Sequence, residues 1–121
     1  MREETLSCLD VLDERGAELL ADEYSLLARG IEAELLPALA RSGMGLLPYF
    51  PLACGMLTGK YRRNAAMPEG ARLTNTQRLA DIYMTEANWT IVERLEAFCA
   101  ARGRTMLELA FSWLLANPLV S

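Results

Sequence analysis

The sequence predicts a helix-rich α/β domain over residues 1–121. Helical apolar periodicity alternates along the chain with short apolar runs, the pattern of parallel strands joined by helices. The run "MGLLPY" at 44–49 is apolar without alternation, as suits a strand covered on both faces. At 121 residues the chain has the length of one domain, and 52% of its residues are hydrophobic, ample for a core.

The elements follow in order. Leu6, Leu9, Val11 and Leu12 form the apolar stripe of a helix over 3–15, with Gly16 as its cap. A short strand fits 18–22. Gly30 breaks the chain before "IEAELLPALARSG", where Ile31, Leu35, Leu36 and Leu39 recur at helical spacing. Pro37 costs about 3 kcal/mol in a helix interior. A helix whose first turn holds Pro37, after a separate turn over 31–34, avoids that cost. Gly43 ends the helix, and the strand 44–49 follows. Residues 51–75, punctuated by Pro51, Gly55, Gly59, Pro68 and Gly70, read as a long loop. A short helix fits 76–84. Asn88 is placed to cap the next helix, with Ile91 or Val92, Leu95, and Phe98 or Cys99 facing inward and Gly103 closing it. Thr105 with Glu108 forms a capping box for a last helix that Pro118 stops. "LVS" at 119–121 reads as the start of a strand. Two strands and a stub leave the edges of a parallel sheet uncovered.

Charge and composition narrow the function. A net charge of −4 argues against nucleic-acid binding, which needs a basic surface. Cys8, Cys54 and Cys99 make no C-x-x-C pair, so neither a zinc site nor a redox dithiol is expected. They read as small apolar residues in a reducing compartment. With no histidine, the chain offers no Ser-His or Cys-His pair and no histidine metal ligand. The acidic N-terminus is not a signal peptide, and no apolar stretch reaches the roughly 20 residues that span a bilayer. The expectation is a cytoplasmic chain without membrane, nucleic-acid or metal partners.

The segment "PYFPLACGMLTGKY" at 48–61 raises the question of a phosphate cradle. A Walker-type loop does not fit. The spacing from Gly55 to Gly59-Lys60 is one residue short, and Tyr61 stands where Ser or Thr must hold magnesium. "GMG" at 43–45 precedes a strand rather than following one, so it is no dinucleotide fingerprint.

The stretches "EYSLLARGIEAELLPALA", "GMGLLPYFPLACGMLTGKY", "PEGARL", "IVERLEAFCAARGRTMLELAFSWLLANP" and "LVS" together resemble the C-terminal part of an aldo-keto reductase, in the family's order. The resemblance implies a partial (β/α)₈ barrel, a fold that needs about 250 residues when complete. Residues 18–23 match its sixth strand, 44–49 its seventh and 119–121 the start of its eighth. It also implies NADP as cofactor. Tyr49 takes the position of the ring that stacks on the nicotinamide. The loop carrying Pro51, Leu52, Ala53, Gly55, Leu57 and Gly59 takes the position of the pyrophosphate wrap, and Lys60 adds charge.

Three departures weaken that cofactor site. Phe50 replaces the family's usual Ser, Cys54 replaces a common Gly and disfavours positive φ, and Ala21 replaces a Gln that grips the nicotinamide amide. The family's Asp, Tyr, Lys and His tetrad lies in the barrel's first half, and Tyr24, Tyr61 and Tyr83 match none of its positions, so no catalytic residue is assigned. The expected function is a non-catalytic partial barrel that self-associates, most simply as a dimer, with weak or no NADP binding. The alternative is the cofactor-binding half of an NADP-dependent aldehyde or ketone reductase, completed by another chain. Glu93, Glu96 and Glu108 read as solvated faces or caps. Trp89 and Trp113 read as core anchors that a partial barrel could turn to an interface. Leu46 and Pro48 are expected to point into the barrel, and the loop 51–75 to serve as a hinge for swapping 76–117.

Overall fold

The computed structural model describes residues 14–121, so the helix expected over 3–15 and Cys8 fall wholly or almost wholly outside the described residues. Strand β1 (Leu19–Glu23) is followed by a 3₁₀ turn at Gly30–Glu32 and helix α1 (Leu35–Ser42), which leads to strand β2 (Gly45–Tyr49). A 3₁₀ segment at Ala53–Thr58 follows, and then α2 (Arg72–Asn75), α3 (Gln77–Tyr83), α4 (Glu86–Ala101) and α5 (Met106–Leu115). β1 and β2 are parallel, with Leu20 opposite Leu46 and Glu23 opposite Tyr49. The helix between them makes the crossover that a parallel pair requires. The terminal residues add the beginning of a third parallel strand on the other side of β2. Leu46 donates to the Leu119 carbonyl at 2.6 Å, and Ser121 donates to that of Leu46 at 2.9 Å.

Local chemistry explains these boundaries. Pro37 is the third residue of α1, inside the first turn, where its missing N–H breaks no ladder bond. Gly43 ends α1 in the left-handed conformation, φ 67°, with its N–H on the Ala40 and Leu39 carbonyls. Thr105 and Glu108 form the expected capping box of α5: each side chain accepts from the other's backbone N–H. Asn88 does not cap α4. Thr85 does, accepting from the Asn88 N–H at 3.2 Å, while the Asn88 amide donates to the Tyr83 carbonyl at 2.9 Å. Of the paired alternatives on α4, Val92 and Cys99 turn inward and Ile91 and Phe98 stay exposed. The stretch 51–75 is not one irregular loop either, because it contains the 3₁₀ segment and α2.

Two apolar clusters hold these elements together. One joins the sheet to its covering helices: Leu46, Leu36, Leu39 and Tyr24 pack with Leu114 of α5. The other gathers α2 to α5 around the segment after β2, through Met56, Leu57, Tyr61, Leu73, Trp89, Val92 and Ala110. Trp89 is thus a core residue. Trp113 packs on Tyr24, with ring centroids 5.0 Å apart, and carries the Arg29 guanidinium over its face.

The strand faces correct one expectation. Leu46 is 0% exposed and lies in the helix-side cluster, and Pro48 shares its face. The opposite face carries Leu19 and Leu47, each 51% exposed, and Tyr49, 48% exposed, with Ala21 between them. Side chains alternate along a strand, so a shift of one residue exchanges the two faces. An unbroken apolar run carries no phase, so the sequence does not distinguish the face of Leu46 and Pro48 from that of Leu47 and Tyr49.

Equilibrium denaturation of two variants tests this phase. Leu46→Ala should cost about 2–5 kcal/mol at every protein concentration, as for a fully buried leucine. Leu47→Ala, extrapolated to dilute protein, should cost less than about 1 kcal/mol. Equal losses, or a larger loss at Leu47, would show that the faces are reversed.

Candidate functional site

The segment that leaves β2 takes an unusual path. Phe50, Ala53 and Cys54 all lie in the left-handed region, at φ 49°, 49° and 57°, and Gly55 follows at φ 103°. Left-handed backbone costs a non-glycine residue of order 1–3 kcal/mol and persists where the surroundings impose it. Here the surroundings are the core: Ala53 and Leu57 are fully buried, and Cys54 and Met56 nearly so. Cys54 therefore adopts the positive φ that its side chain disfavours, contrary to the expectation from sequence. Internal bonds tighten the path further. Ala53 donates to the Phe50 carbonyl at 2.9 Å, Gly55 and Leu57 both donate to that of Leu52 at 3.0 and 3.2 Å, and the Thr58 hydroxyl donates to that of Gly55 at 2.7 Å.

An open cavity of about 310 Å³ lies against this segment. Of the residues expected to hold a cofactor, Pro51, Leu52, Gly55 and Lys60 line it. Ala53 and Leu57 do not, since their side chains point into the core and their N–H groups are used within the loop. Gly59 closes the 3₁₀ segment at φ 81°. Tyr49 stands outside the cavity, on the open sheet face, edge-on to Phe50 with centroids 5.4 Å apart. Phe50, Cys54, Thr58 and Arg72 complete the lining.

Arg72 is the residue that sequence reasoning missed. It comes from the first position of α2, and its guanidinium sits 5.5 Å from the centre of the Phe50 ring. Phe50, which loses the hydroxyl of a serine, thereby provides a face for a cation. The signal was present in "PEGARL", where an arginine follows a Pro- and Gly-punctuated turn. Only the folded chain brings it to the cavity that Lys60 also lines.

The electrostatics of the cavity are one-sided. Lys60 and Arg72 line it, and among the described residues no carboxylate does. Among the described residues, neither cation makes an ion pair. Gly55 is needed on two counts, its φ and its neighbours. A Cβ placed there would stand 3.1 Å from the Tyr61 ring, 3.5 Å from Lys60 Cε and 3.7 Å from Lys60 Nζ. Two cations that form no ion pair among the described residues, beside a tightly bent backbone, suit an anion with several oxygens.

The remaining polar groups nearby are structural. Beyond the cavity, Arg63 donates to Glu93 at 2.9 Å and also to Glu86, and Arg62 donates to Glu96 at 3.1 Å. These bonds strap the chain after Lys60 onto α4. The Tyr24 hydroxyl donates to Glu32 and that of Tyr83 to Glu23. Burial first, and then the carboxylate, pushes both phenols above the ordinary tyrosine value. Neither is poised to give up a proton. Among the described residues no cluster of three or more acidic, cysteine or histidine side chains could hold a metal ion, and no helix is long and apolar enough to cross a membrane.

Comparison with known proteins places this geometry. A family model described as the aldo/keto reductase family matches residues 15–121. A probable voltage-gated potassium channel subunit beta from Arabidopsis thaliana is 36% identical over 121 residues, covering 98% of this chain and 37% of its own length. An L-glyceraldehyde 3-phosphate reductase from Escherichia coli O157:H7 is 33% identical, with 98% of this chain and 36% of its own length covered. The chain thus spans little more than a third of the curated relatives it matches. The solved glycerol dehydrogenase from Gluconobacter oxydans superposes with a TM-score of 0.66 at 24% identity, over 84% of this chain and 31% of that one. That likeness establishes the fold as part of a (β/α)₈ barrel. On the family match over almost its whole length, the chain belongs to the aldo/keto reductase family.

Proposed function

We propose that this chain forms the cofactor-phosphate wall of an aldo-keto reductase barrel, and that the 121 residues alone transfer no hydride. The observation that carries the proposal is the cavity beside Phe50–Lys60, which Lys60 and Arg72 both line, with no carboxylate among the described residues that line it. The residues fit the diphosphate of a nicotinamide dinucleotide: two cations, and a glycine that leaves room. Tyr49 offers a ring on the open sheet face for stacking. Ala21, on that same face, offers no donor or acceptor to a carboxamide, so the nicotinamide end is held weakly. The cofactor, when bound, would supply the hydride; this chain's part is to fix its phosphates.

The tyrosines support the second half of the proposal. Carbonyl reduction by hydride is assisted by a proton donor of suitable pKa. Burial, and then the carboxylates that hold them, work against deprotonation of Tyr24 and Tyr83, and Tyr61 is 2% exposed within the core. A barrel completed by another chain would have to bring the donor.

A second reading concerns assembly and rests on the open sheet face. Leu19, Leu47 and Tyr49, each about half exposed, form an apolar surface beside the edge of β1 that no described strand pairs with. Such a face is covered in a barrel, and a second copy is the simplest cover for the chain on its own. Trp89 is occupied in the core, so this face rather than a tryptophan would anchor the contact. A dimer made this way would compete with a nicotinamide ring for Tyr49.

Calorimetric titration of the 121-residue chain should give an NADP dissociation constant weaker than about 10 μM, and Lys60→Gln or Arg72→Gln should weaken it roughly tenfold further. Low-micromolar binding that neither substitution disturbs would contradict the proposal. The same protein with NADPH and simple aldehydes should show no turnover, and measurable turnover would refute the claim about hydride transfer. Light scattering behind a sizing column should find a dimer at micromolar concentration and a monomer for Leu47→Lys. A monomeric unsubstituted chain would rule out the second reading.

A further inference from the structure

Tyr61 links the end of the loop that carries Lys60 to the start of α2, which carries Arg72. It directly follows Lys60 in sequence and is 2% exposed. Its ring lies under Gly55, and its hydroxyl accepts the Leu73 N–H at 2.9 Å. Leu73 is the residue after Arg72. The first N–H groups of a helix have no partner within the helix, and Ala71, which precedes α2, supplies no side-chain cap. The phenol of Tyr61 does this instead, from twelve residues away. The chain on its far side is also fixed, because Arg62 and Arg63 are strapped to Glu96 and Glu93 of α4. Tyr61 is therefore a rigid link between the start of α2 and the end of the loop.

We propose that Tyr61 is a positioning residue that sets the spacing between Lys60 and Arg72, and that this spacing lets the cavity prefer a diphosphate to a single phosphate. The inference rests on the reading that the cavity holds phosphate groups. A diphosphate engages two cations at once only when their separation matches its span, whereas one phosphate is satisfied by either cation. Removing the phenol oxygen leaves the buried Leu73 N–H without an acceptor and frees the start of α2 to shift. Arg72 moves with it while Lys60 stays on the loop. The loss should fall on ligands that need both cations.

The test is titration of the full chain with inorganic pyrophosphate and with inorganic phosphate, before and after Tyr61→Phe. For the unsubstituted chain pyrophosphate should bind measurably more tightly than phosphate. In Tyr61→Phe pyrophosphate affinity should fall about tenfold, with phosphate affinity changing less than about threefold. A role confined to stability would lower the melting temperature and leave both affinities of the folded protein unchanged, and that result overturns the proposal. If Tyr61→Phe does not fold, semisynthetic replacement of the Leu73 amide by an ester removes the same hydrogen bond and must give the same selective loss. If the unsubstituted chain binds neither anion, the phosphate reading itself fails. If it binds both but the variant keeps the preference, only the role of Tyr61 fails.

Discussion

The two faces of the strand pair are covered differently, and this difference organises the structure. Along β1 and β2 the side chains alternate, so Leu20 and Leu46 go to one side and Leu19, Ala21, Leu47 and Tyr49 to the other. α1 and the end of α5 cover the first side at its centre, where Leu46 and Leu39 are fully buried. The second side has no cover within the described residues. The helices are thus placed as the outer layer of a barrel wall, and the face that would line the barrel carries the ring proposed to stack on a cofactor. Position in the sheet and position in the site follow from one alternation.

The loop after β2 shows how strain is maintained next to a binding surface. Three non-glycine residues hold left-handed backbone, an arrangement that costs several kcal/mol if each contributes the usual amount. It persists because Ala53, Met56 and Leu57 are core residues of the larger cluster, packed against α2 to α5. The four helices after the loop therefore do more than fill the outside of the barrel. They fix the bend that leaves Gly55 and Lys60 lining a cavity, and α2 adds Arg72 to that lining.

How legible this was in the sequence depended on the range of the interaction. Elements defined by neighbours in the chain could be read directly: the capping box of Thr105 and Glu108, the glycine stop at Gly43, and Pro37 in a first turn. The competition between Asn88 and Thr85 for one cap was harder, because both are good capping residues three positions apart and only the fit of Trp89 and Val92 in the core selects the register. The face of β2 could not be read, because a run without alternation carries no phase. The loop residues were placed by family resemblance. Which of them turn inward depended on packing against α2 to α5, distant in sequence. Arg72 needed the same packing to become part of the site. The positive φ at Cys54 ran against local preference and was set by burial.

The central question is whether the loop and α2 together hold the phosphates of a dinucleotide. Backbone amide shifts of the isotope-labelled chain, followed during addition of NADP, test this most directly. The largest changes should cluster at residues 50–60 and at Arg72 and Leu73, with Tyr49 affected and the outer faces of α4 and α5 silent. Changes confined to surfaces away from this cavity, or no change at millimolar NADP, would contradict the assignment of the cavity as the cofactor-phosphate site.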